Sequence, residues 1–224
     1  MKKLSVLFTI LFLFTIILKA QTSKDSETNA EIVQAKYLKE DLDKLLAKNT
    51  IFPIEAFKNK IQGDVIVSIT IDKNGNLDNL DLVSSANKIF SSSAIVAFDN
   101  VENEWSSCQV DGVPVSKTYL IVFRYRLYEN ALPPSDKKIA AKLVKKEKYK
   151  KALKYYNRLI SDNQYDYEFF EMRSKVKEKL GDFDGALMDT EQASRLKNEI
   201  ISLVNIEGLV KIRTVTKVER RTRY

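Results

Sequence analysis

The sequence predicts an α+β unit, a small antiparallel sheet with two helices, followed by an all-α unit of helical hairpins. Three observations carry this. Apolar and polar residues alternate in the first half, at 65–71 and again at 116–127, as they do in half-buried strands. Residues 148–163 and 182–197 resemble one another: Tyr149 aligns with Phe183, Ala152 with Ala186 and Leu159 with Ala193, each pair 34 positions apart. Between these regions, "ENALPPSDKK" at 129–138 holds a double proline, and composition shifts across it from β-branched and aromatic residues to lysine-rich helix formers.

The elements follow in order. Met1 to Lys3 is short and positive, Leu4 to Leu18 is an apolar run of 15 residues, and Lys19-Ala20-Gln21 leads into polar sequence. This pattern reads as a secretory signal peptide over 1–20, cleaved after Ala20. The alternative is an uncleaved membrane anchor, although the run is shorter than the roughly 20 residues a spanning helix needs. Residues 21–48 read as a polar linker and a lead-in helix, because Ile32, Ala35, Leu38, Leu42, Leu45 and Leu46 recur at three and four.

Phe52-Pro53 then opens a short helix. Val65, Val67, Ile69 and Ile71 share one face of a strand, "DKNGN" at 72–76 is a turn with Gly75 able to take positive φ, and "LDNLDLVSS" is a second strand. Phe90, Ala94, Ala97, Phe98 and Val101 line one side of a helix. A turn at Asp111-Gly112 leads to a closing strand from Ser116 to Leu127. On it Tyr119, Ile121, Phe123 and Tyr125 point one way, and Leu120, Val122, Arg124 and Arg126 point the other, toward a partly solvated face. After a linker at 129–136, helical repeats are expected over 137–213, including a third helix at 197–213 with Ile200, Leu203, Ile206 and Val210, and then a basic tail at 214–224.

Composition narrows the chemistry. The chain contains no histidine, which removes the commonest general base and zinc ligand. Its single cysteine, Cys108, can form neither an internal disulfide nor a zinc cluster, and reads as a small apolar residue. No phosphate-binding loop, nucleophile elbow or metal-ligand spacing is present, so neither an enzyme, a cofactor nor a metal is expected. The formal net charge of +7 falls by three if residues 1–20 are removed, and the remaining basic stretches at 137–158 and 211–223 read as solvated helix faces. Neither nucleic acid nor a small-molecule substrate is expected as partner.

Taken in order, Phe52, Pro53 and Ala56, then Gly63-x-Val65-x-Val67, Ile71-Asp72-x-x-Gly75, the helix Ala94 to Phe98, Trp105, Gly112-x-Pro114-Val115 and the closing strand resemble the TonB carboxy-terminal domain over 49–128. Ser107 stands where that family often has proline, and no proline-rich linker precedes the domain. The resemblance implies a sheet that pairs with an extended segment of an outer-membrane receptor, and hence a periplasmic protein. An inner-membrane anchored form facing the periplasm applies if the signal segment is retained. The edge would lie on Lys117 to Arg126, with Leu120, Ile121, Val122, Phe123 and Arg124 as partner-binding residues. Equally, this strand could be central or covered.

The 34-residue period and Leu180-Gly181 before Asp182-Phe183 resemble tetratricopeptide (TPR) repeats. That resemblance implies a protein- or peptide-binding groove, lined by Glu168, Glu171, Lys175 and Glu178. Two readings of function follow. One is a non-enzymatic periplasmic scaffold that binds proteins or peptides, with self-association into a homodimer as a further option. The other is a TonB-type energy transducer contacting outer-membrane receptors in transmembrane transport.

Overall fold

The structure is a computed structural model that describes residues 30–129 and 135–210. The expected signal peptide, most of the polar linker, the double proline and the basic tail lie outside the described residues.

The alternation at 63–85 folds into a hairpin. β3 (Gly63–Ile71) pairs antiparallel with β4 (Leu77–Ser85). The turn between them is fixed by Asp72, whose carboxylate accepts the backbone N–H groups of Asn74 and Asn76, each at 2.8 Å. Gly75 has φ +82°, and a Cβ there would collide with the carbonyl of Trp105, so the turn requires glycine for its conformation and for space. β8 (Lys117–Glu129) pairs antiparallel with the other side of β3, in register from Gly63↔Tyr125 to Ile71↔Lys117.

Two helices pack on one face of this sheet. α2 (Ile54–Lys58) buries Ala56, and α3 (Lys88–Val96), capped by Asn87 on the N–H of Ile89, buries Phe90 and Ala94. Their aromatic residues meet those of the sheet: Phe90 stacks on Tyr125 at 4.3 Å, and Phe52 meets both edge-on. Val65, Val67, Ile69, Ile71, Ile121, Phe123 and Tyr125 are all fully buried in this core.

The lead-in helix is shorter than its periodicity predicts. Residues 32–37 are two short strands, β1 (Ile32–Val33) and β2 (Lys36–Tyr37), and only α1 (Leu42–Asn49) is helical. β2 pairs with β5 (Trp105–Ser106), and β1 with β6 (Cys108–Val110), which in turn pairs with β7 (Val113–Val115). Long-range bonds override the local pattern: the Ala35 N–H donates to the Tyr119 hydroxyl at 2.9 Å, and Asp41 caps α1 by accepting the Lys44 N–H. Leu38, placed on the apolar face of the expected helix, is exposed.

Two helical hairpins follow: α4 (Asp136–Lys145) with α5 (Tyr149–Asp162), and α6 (Tyr167–Lys179) with α7 (Phe183–Glu199). The starts of α5 and α7 are separated by the 34-residue period, and Ala152 and Ala186 are both buried at close helix approaches.

The expected third helix is not formed. Ile200–Val210 is a strand, β9, which begins at the residue after α7 and pairs parallel with β8. The four-stranded order is therefore β4-β3-β8-β9. The three- and four-residue spacing of Ile200, Leu203, Ile206 and Val210 gives way to a period of two, with Ser202, Val204, Ile206 and Gly208 inward and Leu203 on the opposite face beside Val122.

Candidate protein-binding edge and helical face

β8 is an interior strand. Its second side is paired with β9 from Leu120↔Ile200 to Glu129↔Val210, so the free edge expected on Lys117 to Arg126 is taken by the chain's own segment. Both its faces are covered as well. Ile121 and Phe123 fill the core, Val122 is fully buried on the opposite face, Arg124 is 5% exposed, and Leu120 is half-buried. The face expected to be solvated instead lies under the helical unit.

Arg124 shows how that cover is fastened. Its guanidinium donates to Asn205 Oδ1 on β9 at 3.1 Å and to the backbone carbonyl of Asp162, the last residue of α5. It also faces the Asp162 carboxylate at 3.3 Å. A cation at a helix C-terminus is favoured by the helix dipole, so this one side chain ties β8, β9 and α5 together. Arg126 beside it holds the Asp64 carboxylate of β3 at 2.7 Å.

β9 is held from both sides. Val204 and Ile206 are buried in the main core, and burying each stabilises the pairing by about 1.5–3 kcal/mol. Gly208 lies against α2: a Cβ there would sit 2.5 Å from Leu127 Cδ2 and 3.3 Å from the Phe57 ring. At its start, the Asp43 carboxylate of α1 accepts the buried Ser202 hydroxyl at 2.6 Å and the Leu203 N–H at 3.3 Å. Burial pushes the Asp43 carboxyl above the usual carboxylate range, and these two hydrogen bonds only partly offset it. A cavity of about 340 Å³ opens beside this contact, with Lys137, Asp166 and Glu168 on the helical side and Ile201 and Leu203 on β9.

On the helical unit, Glu168, Glu171, Lys175 and Glu178 share one stripe of α6, spaced by three and four. Glu168 pairs with Lys137 of α4, Glu171 is half-buried, and Lys175 and Glu178 are exposed. The opposite side of α6 carries a cluster that sequence reasoning missed. Asp189 of α7, 3% exposed, accepts Arg173 Nη2 at 2.6 Å and Lys177 Nζ at 2.9 Å. Burial alone would raise its carboxyl, but the hydrogen bonds from Arg173 and Lys177 outweigh this and hold it below the usual range. In the sequence the cluster shows only as Arg173 and Lys177 four apart on one helix and Asp189 on the next, with nothing local to pair them.

The stretch around Trp105 is a frame. Trp105 is buried against Tyr37, ring centroids 5.0 Å apart, and Cys108 is buried opposite Val115. Burial pushes the Tyr125 hydroxyl up to about 12, a core residue's behaviour.

Among the described residues no helix is long and apolar enough to cross a membrane, and no three His, Cys, Asp or Glu side chains could hold a metal. Residues 48–127 match the family described as Gram-negative bacterial TonB protein C-terminal. No curated protein and no solved structure matches the chain. The match ends within β8 and leaves out the four repeat-like helices and β9. Residues 48–127 are a TonB C-terminal domain, and the last strand of its sheet comes from outside it.

Proposed function

We propose that this protein is an exported, non-enzymatic scaffold of the periplasm that holds partner proteins at two places. One is the edge region of its TonB-type sheet, where an extended segment adds to the strands. The other is the α6 stripe of Glu168, Glu171, Lys175 and Glu178, in the manner of tetratricopeptide repeats. The observation that carries this reading is the joining of the two units: a TonB C-terminal domain whose sheet takes up a strand along β8, supplied by a helical unit that also covers the sheet's outer face. A body of this kind suits joint presentation of two binding surfaces, of which the β8 edge is filled by β9 in this structure.

Photocrosslinking in the periplasm of a Gram-negative host tests it. A photoreactive residue at Glu178 and another at Asn205, both exposed, should each give a discrete protein adduct. Adducts at neither position contradict the scaffold.

The energy-transducer reading is favoured by the TonB match together with the apolar run at Leu4 to Leu18. Intact mass and fractionation separate the two. A soluble species starting at Gln21 supports the scaffold, and a full-length species in the inner membrane supports the transducer.

A further inference from the structure

We propose that β9 is a resident, exchangeable ligand of the β8 edge, so that the protein gates its own capture site. This rests on the scaffold reading above and concerns the regulation of its sheet edge.

Three features place β9 in the position of a ligand. It lies beyond the residues that match the TonB C-terminal domain, and about 70 residues separate the end of β8 from its start. It pairs parallel, whereas β3, β4 and β8 pair antiparallel, and parallel pairing is slightly weaker per residue. And it follows α7 with no connecting residue, so its release bends the chain at the Glu199–Ile200 junction while giving up the Asp43 bonds and the burial of Val204 and Ile206, which the incoming segment replaces.

The resident strand also defines what the edge accepts. Its inward positions are Ser202, Val204, Ile206 and Gly208. Ser202 answers the Asp43 carboxylate, Val204 and Ile206 enter the core, and Gly208 is the position where Leu127 and Phe57 leave least room. A competing segment is therefore extended and parallel, with the pattern hydroxyl-x-apolar-x-apolar-x-Gly. Its entry removes the Asn205 bond to Arg124 while leaving the bond from Arg124 to α5, so the helical unit stays attached as the edge exchanges.

The test uses the full chain and a fluorescent peptide of residues 200–210, IISLVNIEGLV. Gly208→Val weakens the resident strand by forcing Leu127 and Phe57 aside, so the variant should bind the peptide at least ~10-fold more tightly than the wild type, because more of the edge is vacant. Tyr128→Cys with Leu209→Cys, register partners across the two strands, gives a disulfide-locked form in a Cys108→Ser background. The locked form should bind no peptide until reduced. Equal binding by all three forms, or binding by the locked form, overturns the gate. If Gly208→Val does not fold, amide exchange on the wild type decides. Exchange of the 202–208 amides well ahead of the 65–71 amides supports release, and exchange of both only on global unfolding overturns it. A failed gate leaves the Glu178 adduct intact, whereas a failed scaffold loses that adduct whatever the peptide does.

Discussion

The two edges of the sheet are built by opposite means. β4 is reached through a five-residue turn and pairs with β3 over two irregularities, between Ile66 and Val67 and between Thr70 and Ile71. It carries Asp78 and Asp81 and leaves Leu82 and Val83 exposed. Bulges and charges are how natural sheets blunt an edge against further pairing. β9 is reached only after two helical hairpins, pairs over about ten residues, and is clamped by Asp43 at its start and by the core along its inner face. The comparison teaches that one edge is closed by local chemistry, while the other is filled by a strand from the far end of the chain.

Substitutions on the two edges should therefore differ sharply. The largest effect is expected from Val204→Asp, which places an unpaired charge in the core and should cost about 4 kcal/mol or detach β9 altogether, read from urea unfolding. Ile206→Ala should cost about 2–4 kcal/mol by leaving a cavity. Arg124→Met keeps the volume but removes the bonds to Asp162 and Asn205. It should cost about 1–2 kcal/mol and, more diagnostically, speed amide exchange in β9 and at the end of α5 together. Val83→Thr on β4 should change stability by less than about 0.5 kcal/mol. An equal cost at Val83 and Ile206 would erase the difference between the edges.

Acid should separate the regions as well. The Asp189 carboxyl is held below its ordinary value, so the stability it contributes is present above the ordinary carboxylate range, and is lost as pH falls through its folded value. The Asp43 carboxyl is raised, so its contribution has the opposite sign: present below that range and lost as pH rises through its folded value. Lowering the pH below the ordinary carboxylate range should thus loosen the α6–α7 contact while leaving the Asp43 contact to β9 in place, as amide exchange of Ala186 and Leu203 would record. Loss of both together would contradict the assignment.

What the sequence disclosed follows the range of the forces. The β3–β4 hairpin, the Asp111-Gly112 turn, the inward face of β8 and the paired alanines of α5 and α7 were legible, because each rests on periodicity or a turn residue within a short span. The TonB-type domain was legible because its motifs lie in order over a continuous stretch. Three things were not. The strands at 32–37 were hidden by an accidental helical spacing that the Tyr119 hydroxyl overrides. β9 was hidden because the stretch carries two patterns, Ile200, Leu203 and Ile206 at helical spacing and Val204 and Ile206 at strand spacing, and only the unpaired side of β8 chooses between them. Arg124 looked like a surface cation, because nothing local shows that the end of α5 arrives over it.

The most direct test is the pairing of β9 itself. In isotope-labelled protein, a parallel β9 predicts interstrand nuclear Overhauser contacts that advance together along both strands, at Val122 with Leu203, Phe123 with Val204 and Tyr125 with Ile206. Contacts running in the reverse order, or none between 118–128 and 200–210, would contradict it and with it the self-occupied edge.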